Sequence, residues 1–297
     1  MADLRIRKVH TVLRAVILAG LALFIADLVK RGSMSLYIAP RMELYVKCAS
    51  LVLYAGAVYH IYRLFRLKPE TEHDCGCGHD HAPPSSSIRS LVIYSLFIVP
   101  VAMGILLPDH TLSSSMAAQK GMNWSAASAL KTGNDAGSAP SLPEGKKPSL
   151  DSLFPSTPFT EEYAAYAKQL YSQDLIRITS ENYIDALTTL DLYQEAFAGK
   201  RISVSGFLFR DETMAPDEFA VSRFSVQCCS ADALPLGILA ELRNGRKLQD
   251  DQWFRVTGKL TVIKRNGEPR MKLELSSAVA IQPPKDPYVY QSAELPE

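Results

Sequence analysis

Residues 88–107 read IRSLVIYSLFIVPVAMGILL, twenty positions whose only charge is Arg89. A helix rises about 1.5 Å per residue, so about 20 apolar residues cross a hydrocarbon core roughly 30 Å thick. Two further apolar runs precede this one, over residues 12–29 and 44–64. The first is charged only at Arg14 and Asp27, near its ends, and the second only at Lys47 and Arg63. Arg5, Arg7 and Lys8 would suit the start of a signal peptide. No small-x-small site follows, and the second run arrives at once, so the first segment reads as a retained anchor. The sequence thus predicts three membrane spans within residues 1–108.

Basic residues near the span ends set the expected orientation. Arg5, Arg7, Lys8 and Arg14 lie at the N-terminal side, and Arg63, Arg66, Lys68 and Arg89 in the second loop. Lys30, Arg31, Arg41 and Lys47 flank the first loop, so eight oppose four. The N-terminus and second loop are expected in the cytoplasm, and everything beyond the third span outside.

The formal charge of +1 over 297 residues argues against binding nucleic acid by bulk electrostatics. Residues 109–160 are dominated by Ser, Ala, Pro, Gly and Lys. Such a composition buries too little apolar surface to offset its ordering entropy, so the segment reads as a flexible tether. Trp124 within it is a candidate contact for the membrane surface.

Order is expected to return over residues 161–297, as an extracytoplasmic α+β domain. Residues 161–171 have helical character, and residues 174–200 read as a short strand and a helix, with Ser180 as N-cap and Gly199 as stop. Strand-like runs follow at 201–210, 220–228, 236–242, 252–263 and 270–281, with Asn266-Gly267 as a hairpin signal. Gly206 and Gly258 fall where strands must bend. The pattern predicts an all-β OB-like barrel over 200–282 with a flanking helix, another small barrel or sandwich being the alternative.

The stretch VSRFSVQCCSADALPLG, residues 221–237, is the most distinctive part of that domain. With GKRISVSGFLFR upstream and DDQWFRVTGKL downstream, it resembles the YcgQ-like family of bacterial membrane proteins. The likeness covers the spans, the tether and the C-terminal domain. It implies a subunit that accompanies a multi-span permease, and a His-rich loop where this chain has a mixed Cys/His loop. It supplies no mechanism.

Two constellations carry chemistry. The loop HDCGCGHDH, residues 73–81, places His73, Cys75, Cys77, His79 and His81 at alternate positions. Zinc takes four imidazole or thiolate ligands, and copper(I) also favours thiolate. Gly76 and Gly78 let the backbone fold tightly enough for these side chains to converge. A cytoplasmic position would keep both thiols reduced. A solvated linker with incidental histidines is the plainer reading.

The second constellation is Cys228-Cys229 with Asp232 and Arg223, a candidate ligand or redox site. Adjacent strand residues point to opposite faces, so one thiol can be core while the other is accessible. Small core residues, a vicinal disulfide and soft ligands joined by Asp232 all remain open. Cys48 and His60 lie about 18 Å apart at helical rise and cannot share an ion.

No histidine follows His110, and no phosphate loop or dinucleotide fingerprint occurs, so an enzyme is not expected. Three spans without a central charge do not form a transport path alone. The expected function is an accessory subunit of a membrane permease, for a transition metal such as zinc or a related small solute. Its expected partners are a multi-span permease subunit and the lipid bilayer, without nucleic acid. The alternative is a membrane-anchored OB-like module binding an extracytoplasmic ligand, with Phe207, Phe209 and Trp253 as stacking aromatics.

Overall fold

The structure, a computed structural model, describes residues 2–66, 87–127, 149–242, 249–265, 267–292 and 295. It divides into two compact units, Met1–His110 and Thr111–Glu297.

The first unit is built on α1 (Ala2–Arg31), α2 (Pro40–Arg66) and α3 (Ser87–Leu106). All three are long and apolar enough to cross a membrane, as the sequence predicts. α1 stops where Gly32 takes φ 70, and Ser33 N–H donates back to the Leu28 carbonyl at 3.1 Å. Only a residue without Cβ adopts that conformation freely. Pro40 then opens α2, a position that needs no N–H donor. Small residues sit at the packed positions, with Ala15, Ala22 and Ala57 all buried. Gly104 lies so close to the Phe24 ring that a Cβ there would sit 2.8 Å from it. Small side chains of this kind allow spans to approach without a hydrophobic drive between them. Most large apolar side chains remain exposed, among them Leu51, Val52, Leu91 and Leu96.

The second unit holds a six-stranded mixed sheet: β1 (Leu175–Arg177), β2 (Arg201–Phe209), β3 (Glu218–Ser225), β4 (Leu234–Glu241), β5 (Trp253–Arg265) and β6 (Glu268–Ala280). The order is β1-β2-β3-β4-β6-β5, and β2 also pairs with β5, so five strands form a cycle of ladders. Four contacts of that cycle are antiparallel, and β4–β6 is parallel. β1 adds parallel to β2 outside the cycle. The five long strands fall within a few residues of the sequence expectation. At the expected bends, a Cβ on Gly258 would lie 2.6 Å from the Glu274 carbonyl oxygen, where the β5–β6 register shifts. Gly206 likewise has the Ser222 carbonyl where a Cβ would be. Gly267 turns the β5–β6 hairpin at φ 84; Asn266 lies outside the described residues.

Among the described residues, α4 (Ser114–Lys120), α5 (Glu161–Tyr171) and α6 (Tyr183–Leu192) pack with this sheet, as does the short helix Gln194–Phe197. Tyr166 and Leu170 from α5, and Tyr183, Leu187 and Leu190 from α6, share one core with Ile202, Val204, Val256, Leu260 and Leu273. The N-cap of α6 is Asn182 rather than Ser180, whose hydroxyl is engaged elsewhere.

The expected tether differs from the structure over residues 111–127, and again near residue 150, where a short helix, Leu150–Leu153, leads into Phe154, buried in the core. Ala117 and Ala127 are fully buried, and Asn123 forms a bridge with Leu236 on β4. The Asp191 carboxylate, buried in α6, accepts the Ser125 hydroxyl at 2.5 Å and the Ala127 N–H at 3.1 Å. A buried carboxylate needs such donors, and this polar stretch supplies them. Trp124, expected at the membrane surface, lies beneath the Arg270 guanidinium at 5.5 Å.

Candidate metal centre at the turn between β3 and β4

β3 ends at Ser225, three residues earlier than the sequence reading places it. A C-terminal segment takes over there. Val226 N–H donates to the Val289 carbonyl at 3.0 Å, and Val289 N–H donates to Phe224 at 2.9 Å. Past that bridge the chain enters a turn, and a single 3-10 turn, Ser230–Asp232, leads into β4. Cys228 and Cys229 therefore do not alternate across a strand. Cys228 is exposed, Cys229 is half-buried, and neither is a core residue.

Asp232 organises the turn. Its carboxylate accepts backbone N–H groups from Gln227 at 2.9 Å, Cys228 at 2.7 Å and Cys229 at 3.3 Å. Three amides pointing at one carboxylate curl the backbone around it and bring both thiols to the same side. The sulfurs stand 3.7 Å apart, and both are free thiols. One donor atom each from Cys228, Cys229 and Asp232 lie within 4.8 Å of one another.

The electrostatics follow from the same contacts. Burial pushes the Asp232 carboxyl up, but the Cys228 thiol and the three backbone amides outweigh it and hold the group at about 2. In return, the hydrogen bond to Asp232 pushes the Cys228 thiol up to about 11, with Cys229 and burial adding to it. The resting turn thus holds a carboxylate beside a protonated thiol.

Arg223 does not join this cluster. It is buried on β3, donates to the Ser180 hydroxyl at 2.7 Å, and lies over the Trp253 and Tyr183 rings at 5.2 and 5.8 Å. Its Nε has no partner among the described residues. The guanidinium is a core group stacked between aromatics rather than a fourth member of the site.

Two positioning contacts carry no sequence signal. Lys120, at the end of α4, donates to the carbonyls of Ala231 at 2.9 Å and Ala233 at 2.6 Å, clamping the turn from outside. The strap at Val289 pins its entrance. Lys120 sits in a stretch whose composition reads as linker, and residue 289 is far away in sequence.

The other expected metal residues, His73, Cys75, Cys77, His79 and His81, lie outside the described residues. Cys48 is exposed on α2. His60 and Arg14 line a cavity of about 390 Å³ with Ser90 and Tyr94. The aromatics proposed for stacking are mostly unavailable, since Phe207 and Phe209 are buried and Phe207 stacks on Phe224.

Comparison with known proteins adds the family context. Residues 13–123 match the DUF1980 N-terminal domain, and residues 153–291 match the DUF1980 C-terminal domain. The chain is 25% identical to the UPF0703 protein YcgQ of Bacillus subtilis over 204 residues, covering 67% of this chain and 68% of the relative. It is 26% identical over 200 residues to a Streptococcus mutans protein named "Putative two-component membrane permease complex subunit", covering 66% of this chain and 72% of that one. No solved structure matches the chain.

Proposed function

For a chain that carries both DUF1980 domains and is a homologue of YcgQ, we propose the role of accessory subunit in a membrane permease complex. The observation that carries this reading is the coupling of a minimal three-span unit to a folded domain, in a relative of a protein named as a permease complex subunit. The exposure of large apolar side chains on all three spans fits packing against lipid and a larger partner. Under this reading the folded unit is extracytoplasmic. The cycle of five strand pairings supports an OB-like barrel as its architecture.

The solute is proposed to be a transition metal ion such as zinc, captured by the Cys/His loop of residues 73–81 on the cytoplasmic side. Coordination there requires Cys75 and Cys77 as thiolates and neutral imidazoles. The experiment has two arms. The tagged chain, solubilised in mild detergent, is expected to retain a multi-span permease through purification. Replacing Cys75 and Cys77 by serine is expected to change cellular zinc content without changing membrane insertion. Purification without a permease would sink the subunit role. Unchanged zinc content would sink the choice of solute.

The competing module that binds an extracytoplasmic ligand by aromatic stacking is disfavoured, because Phe207 and Phe209 have no free face to offer.

A further inference from the structure

The geometry points to Cys228 Sγ, Cys229 Sγ and one Asp232 carboxylate oxygen as an open three-donor site for a thiophilic d10 metal ion, zinc being its divalent occupant. This deepens the permease reading by adding an ion site in the folded unit, apart from the loop of residues 73–81. It rests on that reading only for its purpose; the coordination chemistry stands by itself.

Three observations support it. First, an ion bonded to both sulfurs at about 2.3 Å, with the sulfurs 3.7 Å apart, subtends about 107°. That is close to the tetrahedral angle zinc prefers, so the thiols need little rearrangement. Second, one donor atom each from Cys228, Cys229 and Asp232 already lie within 4.8 Å of one another. An ion entering between them forms two sulfur–metal bonds and one oxygen–metal bond, and the S–H bond of each thiol breaks. The thiol protons pass to solvent and no electrons are transferred. Two thiolates and a carboxylate then surround a divalent cation.

Third, the turn is held in this shape by contacts of the chain itself. Asp232 is fixed by three amides, Lys120 clamps Ala231 and Ala233, and the Val289 strap holds the entrance. Donors whose positions are set in advance lose little entropy on binding. Cys228 is exposed, and no histidine follows His110 to close the shell. Structural zinc sites use four protein ligands, whereas sites that exchange a ligand keep one position open. The arrangement suits an ion that is received and handed on rather than one held permanently.

The test uses the full chain in detergent under a phosphine reductant, with Cys48, Cys75 and Cys77 replaced by serine. Cobalt(II) serves as the spectroscopic stand-in for zinc. The expected result is one cobalt per chain with a thiolate-to-metal charge-transfer band, bleached by one equivalent of zinc. Loop histidines remaining in this background contribute no such band, so it reports Cys228 and Cys229 alone. Cys228→Ser and Cys229→Ser are each expected to reduce the band and weaken binding. Asp232→Asn is expected to keep two-thiolate absorption and weaken affinity about tenfold or more. Each variant's thermal midpoint is compared with the background, and the exposed Cys228→Ser change should leave it in place. No band in the folded background chain, or an undiminished band in Cys229→Ser, would overturn the site. Either result leaves the permease reading standing, since that falls only with its own co-purification and zinc-content arms.

Discussion

Asp232 holds Cys228 by two different atoms: the carboxylate accepts the Cys228 backbone N–H at 2.7 Å and also faces the thiol of the same residue. The first contact shapes the turn, and the second suppresses the thiolate. Cys228 should therefore alkylate slowly near neutral pH despite its exposure, because only the thiolate attacks. Asp232→Asn should return the thiol toward the ordinary value of about 8.5 and raise the metal-free alkylation rate about tenfold or more. Fragment mass spectrometry of a timed iodoacetamide reaction reads this directly. Equal rates in both proteins would mean the carboxylate does not govern the thiol.

The docking of residues 111–127 predicts a second outcome. Asp191→Ala removes a buried acceptor for the Ser125 hydroxyl and the Ala127 N–H, at a cost of about 2 kcal/mol. Chymotrypsin should then cut at Trp124 in the variant well before it does so in the parent chain. If the parent is cut there equally fast, this segment does not stay on the domain.

Glu218 provides a pH test. It is buried on β3 and accepts Arg265 and Lys272, both at 3.1 Å. Burial pushes its carboxyl up, but the Ala215 amide, Lys272 and Arg265 outweigh it and leave the group below its ordinary value. A carboxyl depressed in the folded state stabilises the fold above its unfolded value and loses that contribution as pH falls through the folded one. Glu218→Gln should cost about 1–3 kcal/mol near neutral pH. The gap between the two denaturation curves should narrow as the solution is acidified below about pH 4.3. A gap that widened in acid would have the wrong sign for this network.

Gly258→Ala should destabilise the second unit by about 1–3 kcal/mol, because the added methyl meets the Glu274 carbonyl and one strand must shift. Gly267→Ala, with nothing near its Cβ, should cost less and only through its positive φ. Urea midpoints of the two variants give the ranking. The reverse order would deny the close strand approach at the β5–β6 register shift.

For orientation, Ser156 is exposed in the folded unit. A Ser156→Cys reporter in an otherwise cysteine-free chain should react with an impermeant maleimide in intact cells. Labelling only after lysis would place this unit inside and reverse the polarity inferred from the basic residues.

The spans and the five long strands were legible because each rests on a local period: uninterrupted apolar length for the helices, alternation for the strands. The hairpin at Gly267 was legible because the turn needs positive φ. What escaped is non-local. Nothing about Lys120 or Ser125 announces a partner, since their acceptors are a backbone carbonyl and a carboxylate buried on another element. The cysteine pair was visible as chemistry, but its geometry was misread. The strand pattern runs on to Cys228, and only the Val289 bridge marks where the strand stops. Arg223 looked like a charged site residue because a sequence cannot show that two aromatic rings enclose it.

The Val289 strap also fixes an order of events during biosynthesis. The dithiol turn is translated before the residue that pins its entrance, so a nascent chain carries Cys228 and Cys229 without that support until Val289 emerges. During that interval the entrance of the turn lacks its strap, so the turn is complete only once the chain around Val289 has docked on β3.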